Sequence, residues 1–311
     1  MDLRRFQKAI ARCFPQLQMH TCRPILDGWS SLVLEVNDEL IFRFPRRPEI
    51  VPGLEKEMAL LPQLAPALPV AVPRFEFIGR GGLGADWPFV GYRKIAGRPL
   101  TNALLAAAPA DRLARHLAQV LSALHRFPVE RAVQLRVPPA SPQDWRQEYQ
   151  RLYAWTQAQA FPLLEPTVRS KAAALWEGFL GDEANFQFQP VLIHRDLGGE
   201  HILCDVDSGM VAGIIDWEDA AIGDPALDFV GLLCDAGRAF AEQVLAAYQG
   251  QVGGTLWQRT VFYARICPLY EVQFGLAVGD EEHLRHGLEA LRAILDRPTP
   301  SPDRAKGHQE P

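Results

Sequence analysis

Apolar positions along the chain change period more than once, and the changes divide it. Leu3, Phe6 and Ile10 recur at helical spacing within residues 2–13, with Arg and Lys on the opposite face. Two β-rich runs, Leu32-Val33-Leu34-Glu35-Val36 and Leu40-Ile41-Phe42-Arg43-Phe44, flank Asn37-Asp38-Glu39 and predict a hairpin. A helix is expected over 53–64, limited by Pro62. Strands are expected over Arg74 to Ile78 and Phe89 to Ile95, separated by the turn-prone Gly79-Arg80-Gly81-Gly82-Leu83-Gly84. After Gly97-Arg98-Pro99 the pattern becomes helical, over 111–126, 142–158 and 164–180. A strand-rich interlude (190–194, 202–204, 211–215) follows, and helices resume from about 225 to 295. The expected organisation is a β-rich lobe over 1–95, a mostly helical lobe over 96–296, and a Pro-rich, polar, disordered tail over 297–311.

Composition narrows the function classes. Of 311 residues, 48% are hydrophobic and 22% charged, as in a soluble globular protein. The formal net charge of −5 argues against a general nucleic-acid binder. Five dispersed cysteines (Cys13, Cys22, Cys204, Cys234, Cys267) form no Cys-x-x-Cys pair and are expected to be reduced thiols. The N-terminus lacks the apolar core of a signal peptide. The most apolar stretch, Met58 to Val72, is interrupted by Pro62, Gln63, Pro66 and Pro69 and falls short of the about 20 residues a membrane span needs. A cytoplasmic monomer without nucleic-acid or membrane partners is expected.

Candidate chemistry concentrates late in the chain. The apolar run Val191-Leu192-Ile193 leads into His194-Arg195-Asp196, and a short strand resumes at Ile202 after Glu200-His201. Gly213-Ile214-Ile215 then leads into Asp216-Trp217-Glu218-Asp219. Two apolar strands that each end in an aspartate predict a hairpin presenting two carboxylates at one mouth. From Asp196 to Asp235 there are ten Asp or Glu and no Lys or Arg, so a cation is expected there: a metal ion, a cationic substrate, or both.

His194-Arg195-Asp196, a ligand-type residue five positions on, and Ile215-Asp216 some twenty residues later resemble the catalytic loop and metal-binding aspartate of protein kinases. With Gly223-Asp224-Pro225-Ala226-Leu227-Asp228-Phe229 following, the chain is similar to the aminoglycoside phosphotransferase family, including macrolide kinases, over roughly residues 20–295. The resemblance implies an α+β, bilobal protein-kinase-like fold that moves the γ-phosphate of ATP or GTP, with Mg²⁺, to a hydroxyl of an aminoglycoside-like antibiotic. Asp196 is then the carboxylate that orients the hydroxyl, and Asp216 a Mg²⁺ ligand. His201 stands where most relatives have Asn; the 2″-aminoglycoside phosphotransferase branch is known for His there. A structural histidine bonded to the loop is the alternative.

Nucleotide contacts also follow from the resemblance. Leu26-Asp27-Gly28-Trp29-Ser30-Ser31 resembles the phosphate-covering turn, which nominates Ser30 and Ser31. Arg43 stands where most relatives place a phosphate-binding lysine, and Arg43→Lys is expected to keep substantial activity. Glu57 is its implied helix partner, with Glu55 competing for the role. Tyr92-Arg93-Lys94 is expected to supply backbone hydrogen bonds to the purine, through Tyr92 and Lys94. Asp228 and His194 are implied as scaffold, and Asp224 as a helix N-cap. On the acceptor side, Glu218, Asp219 and Glu271 are candidates for binding ammonium groups. Asp219 could instead touch a second metal or cap a turn, and Glu271 could be ordinary helix charge. Trp145 and Tyr149, four apart on a helix, read as core. A macrolide or metabolite kinase is the alternative function, supported by Phe44-Pro45-Arg46-Arg47-Pro48-Glu49, and a nucleotide-binding regulatory module without turnover is a third.

Overall fold

The computed structural model describes residues 3–25, 30–83 and 86–296. The expected disordered tail, Gly84, and positions 26–29 of the expected phosphate-covering turn lie outside the described residues.

The N-terminal region is an antiparallel five-stranded sheet of order β1-β2-β3-β5-β4, built from Cys22–Ile25, Ser31–Val36, Leu40–Pro45, Phe75–Arg80 and Pro88–Arg93 as β1 to β5. The predicted hairpin is β2–β3, with Leu34 opposite Phe42 and Val36 opposite Leu40. Its three-residue connection places Asn37 and Asp38 at φ 55° and 60°. That left-handed pair matches the twist of the flanking strands, and Asn and Asp tolerate it better than most residues. The Asn37 side chain accepts from His20 N (2.7 Å) and donates to Gln18 O (2.7 Å), so the turn is also tied to the chain before β1.

Helix α1 (Arg4–Cys13) lays Phe6, Ala9 and Ile10 on this sheet. Phe6 meets Phe44 edge-on at 5.0 Å, and Phe44 stacks on Phe89 at 4.4 Å. Helix α2 (Val51–Leu64) follows β3 and runs on to its last turn despite Pro62. Next come the two-residue strand β6 (Arg98–Pro99) and helices α3 (Asn102–Ala107), α4 (Ala110–His125), α5 (Val129–Gln134), α6 (Pro142–Trp155) and α7 (Pro166–Gly181).

The strand interlude departs from expectation. Strands β7 (Val191–Ile193) and β9 (Met210–Ile214), whose ends lead to Asp196 and Asp216, do not pair with each other. Strand β9 pairs with β8 (Ile202–Asp205), and β7 pairs with β10 (Ala221–Gly223). The chain turns back after Asp216, so β10 takes the partner position beside β7. β9 is held from its other edge by Ala71, which accepts from Ile214 N and donates to Ala212 O. Helices α8 (Val230–Asp235), α9 (Arg238–Ala247), α10 (Leu256–Ile266), α11 (Pro268–Val278) and α12 (Glu281–Asp296) complete the described residues.

The chain divides into two compact units. The first, Met1–Pro142 with Phe188–Leu256, holds the N-terminal sheet, the β10-β7 pair and the three-stranded sheet β6-β8-β9. The second, Gln143–Gln187 with Trp257–Pro311, has an aromatic core. Trp145 and Tyr149 are buried there as expected, with Trp145 Nε1 donating to the Tyr263 hydroxyl at 3.0 Å and Phe179 stacked on Phe262 at 3.6 Å.

Candidate active site

Asp196 sits on the loop that leaves β7, and its backbone is fixed from one side by Asp228. The Asp228 carboxylate is fully buried and accepts from His194 N (2.9 Å) and Arg195 N (2.8 Å). Those bonds hold Arg195 at φ 74°, a conformation that costs a side-chain-bearing residue about 1 kcal/mol or more without such support. His125 Nε2 lies 3.0 Å from the same carboxylate, and its Nδ1 lies 2.6 Å from the Tyr248 hydroxyl. Asp235 accepts from Gly199 N at 2.8 Å further along the loop. Gly231 lets α8 close on it: a Cβ there would sit 2.1 Å from Leu197 O.

His194 is fully buried and donates from Nε2 to Ile215 O (3.0 Å), linking the two aspartate-bearing segments. Burial lowers its pKa, so it stays neutral and serves as scaffold. Trp217 packs on it at 4.6 Å and donates from Nε1 to Ile214 O.

The Asp196 side chain keeps an open face (59% exposed), while surrounding atoms displace enough water to raise its pKa to about 6. Desolvation is the main cause; His201 opposes it, and the negative neighbours Asp219, Asp216 and Glu200 add to it. His201 Nδ1 lies 2.7 Å from the Asp196 backbone carbonyl. A carbonyl only accepts, so Nδ1 carries the proton and Nε2 keeps its lone pair when the ring is neutral. Nε2 faces Asp216 Oδ2 at 3.6 Å. Burial opposes the imidazolium, but the Asp196 carbonyl and the nearby carboxylates outweigh it and raise the His201 pKa.

Asp216, at φ 65°, meets Arg43. Arg43 is buried and divides its fork: Nη1 donates to Glu57 Oε1 (2.9 Å), and Nη2 to Asp216 Oδ1 (2.7 Å) and Glu218 Oε2 (2.9 Å). Burial opposes the charge of Arg43, yet Glu57 and Asp216 keep it firmly protonated. Burial would also raise Asp216, but Arg43 and His201 hold it below its ordinary range. Glu57 Oε1 accepts from Trp217 N (3.0 Å) as well. The competing Glu55 pairs with the exposed Arg136 at 3.0 Å, so Glu57 is the helix partner of Arg43.

The remaining candidates divide. Ser31 lies in β2, and its carbonyl and that of Ser30 accept from Arg46. Ser30 makes a side-chain hydrogen bond to Glu218, whose pKa burial raises to about 7. Tyr92 is buried in β5. The Lys94 amide donates to Glu39 O at 2.7 Å, and its ammonium pairs with Glu35, so that amide is not on offer to a purine. Asp219 is exposed. Glu271 belongs to the second unit and accepts from His286 Nδ1 at 2.9 Å. Asp224 caps the turn after β10, accepting from Ala226 N.

Sequence reasoning missed Lys56, whose Nζ donates to Ala220 O at 2.6 Å; its position beside Glu57 was the only available signal. His125, Tyr248 and Asp235 were missed too, because each acts through a partner distant in sequence.

Among the described residues no three His, Cys, Asp or Glu side chains converge as a ready-made metal cage. Asp216 and the Nε2 lone pair of His201 fit a divalent cation that takes its other ligands from a nucleotide's phosphates.

The chain matches the phosphotransferase enzyme family APH over residues 21–263. It is 29% identical over 220 residues, 68% of this chain and 72% of the relative, to the viomycin phosphotransferase of Streptomyces vinaceus. Its fold superposes with a TM-score of 0.87 and 31% identity on the GDP and kanamycin complex of APH(2″)-IIIa, covering 94% of this chain and 98% of that one. It superposes with a TM-score of 0.73 and 26% identity on the macrolide 2′-phosphotransferase of Brachybacterium faecium, covering 95% and 99%.

Proposed function

The chain belongs to the APH phosphotransferase enzyme family, and we propose that it transfers the γ-phosphate of ATP or GTP to a hydroxyl of an aminoglycoside-like antibiotic. The observation that carries this reading is Asp196. It is an open carboxylate with a pKa near 6, on a loop fixed by Asp228, beside Asp216 and His201. Such a group is ionised at neutral pH yet basic enough to orient an acceptor hydroxyl and take its proton during attack. Arg43 faces the nucleotide's phosphates with a forked, permanent charge, held by Glu57. His201 and Asp216 would hold Mg²⁺, which neutralises charge on the phosphates. Ser30 and Ser31, where the chain enters β2, flank the nucleotide in this reading, whereas the Lys94 amide is already taken by Glu39 O.

An aminoglycoside acceptor is supported by the relative solved with kanamycin and by the cation-free acidic stretch from Asp196 to Asp235. One observation favours a less charged acceptor such as a macrolide. Glu218 is held by Arg43 and Glu271 by His286, which leaves Asp219, of the three acceptor-side candidates, exposed. The protein is proposed to act as a cytoplasmic monomer; among the described residues no helix is long and apolar enough to cross a membrane.

A panel of aminoglycosides, macrolides and viomycin, assayed with ATP and GTP at low and high salt, tests the reading. Phosphorylation of an aminoglycoside with a KM that rises with salt is expected, because screening weakens a polycation's attraction to an acidic pocket. Turnover confined to macrolides, with a salt-insensitive KM, would overturn the aminoglycoside assignment.

A further inference from the structure

Glu218 is an acceptor-side candidate in sequence, and the structure turns it toward Arg43. Its side chain is only 13% exposed and accepts from Arg43 Nη2 at 2.9 Å. It also bonds the side chain of Ser30, the residue that leads into β2 from the expected phosphate-covering turn. Its backbone is pressed by helix α2: a Cβ on Gly53 would lie 3.2 Å from Glu218 O. One carboxylate therefore joins β3, the start of β2 and the segment after Asp216, while its main chain packs on α2.

We propose that Glu218 is a positioning residue that holds the second nitrogen of Arg43 and the Ser30 side chain at the phosphate site, and so makes that site require arginine. The physical reason lies in the fork. Arg43 gives Nη1 to Glu57 and Nη2 to Asp216 and Glu218. Lysine gathers its charge on one nitrogen at the end of a flexible stem and lacks the rigid fork that spreads Arg43 over Glu57 on one side and Asp216 with Glu218 on the other. With Lys at 43, the Glu218 carboxylate would be left largely buried without its counter-charge, beside the place where phosphate anions bind. The ease expected from sequence for Arg43→Lys therefore does not follow from the folded arrangement. Arginine at 43 and an acid at 218 belong together.

This inference rests on the reading that Arg43 faces nucleotide phosphates, and a double-mutant cycle separates the two. Binding of ADP and of GDP, each with Mg²⁺, is titrated calorimetrically for the wild type, Arg43→Lys, Glu218→Gln and the double variant, alongside thermal unfolding. Arg43→Lys is expected to weaken nucleotide binding about tenfold or more in the wild-type background, and about threefold or less when Glu218 is already Gln. If Arg43→Lys alone does not fold, recovery of a folded, nucleotide-binding double variant is the same result in stronger form. Additive effects on binding, coupling seen only in thermal stability, or a double variant that fails to fold or to bind overturns the role of Glu218 alone. A wild type that binds neither nucleotide overturns the nucleotide reading itself, and this inference with it.

Discussion

His201 donates its Nδ1 proton to the backbone carbonyl of Asp196 across 2.7 Å, so the candidate metal ligand is fixed by the residue proposed to orient the acceptor. The bond fixes the tautomer, and the remaining ring nitrogen points at Asp216. Carbonyl contacts of this kind orient histidine ligands in metal sites generally.

A mixed imidazole and carboxylate pair suits first-row transition cations better than Mg²⁺, which favours oxygen. His201→Asn is therefore expected to retain Mg²⁺-dependent nucleotide binding while lowering the ratio of Mn²⁺-supported to Mg²⁺-supported affinity by about tenfold. Titration of nucleotide with each cation checks this. An unchanged ratio, with stability alone reduced, would make His201 a loop brace and not a ligand.

Close packing behind the loop that carries Asp196 yields a second expectation. A methyl group on Gly231 would meet Leu197 O at 2.1 Å and the Gly198 Cα at 2.8 Å, and both are backbone atoms that cannot rotate away. Gly231→Ala is expected to destabilise the protein by about 1–3 kcal/mol through overpacking and to lower kcat more than nucleotide affinity, because the loop carrying Asp196 must shift. Urea unfolding and steady-state kinetics on one preparation measure both effects.

Acid sensitivity has an identifiable contributor away from the site. His116 is buried, and its Nδ1 accepts from Val211 N at 3.0 Å, which requires a lone pair on that nitrogen. Burial, then Arg112, holds its folded pKa below the ordinary value. Its contribution to stability is thus full above the unfolded pKa of about 6.5 and is lost as pH falls through the lower folded value. His116→Asn, which keeps an acceptor and cannot titrate, is expected to flatten the fall in unfolding free energy between neutral and acid pH. One proton accounts for at most about 1.4 kcal/mol per pH unit. Equal slopes in both proteins would assign the effect elsewhere, with His194 the next candidate.

Parts of this structure were legible because their causes are local. Asn37-Asp38 predicts the β2–β3 turn through the φ preference of two residues, and α1 follows from three apolar positions. Asp196 and Asp216 were legible through their spacing and the family resemblance. What failed to show was non-local. β10 has only three residues and no period, so its pairing with β7 left no trace in the pattern. Glu55 and Glu57 are equivalent as helix acids until Arg43 is folded beneath one of them. Glu218 lies 175 residues from Arg43, and its apparent place among acidic neighbours pointed to a cationic substrate when its partner was within the chain. The resemblance offered the Lys94 backbone to a purine, and no side-chain signature in the sequence shows that Glu39 O already receives its amide.

The central claim is that Asp196 orients an acceptor hydroxyl for phosphoryl transfer, and Asp196→Asn tests it most directly. Asparagine keeps the size of the side chain and loses its charge and basicity. Mass spectrometry of the acceptor, with ATP and GTP and the best substrate from the panel, reads transfer, while calorimetry reads nucleotide binding. The variant is predicted to bind nucleotide within about threefold of the wild type and to transfer phosphate about 10²–10⁴-fold more slowly, the usual contribution of a positioned base. An Asp196→Asn protein that phosphorylates the acceptor at a rate near that of the wild type would contradict it.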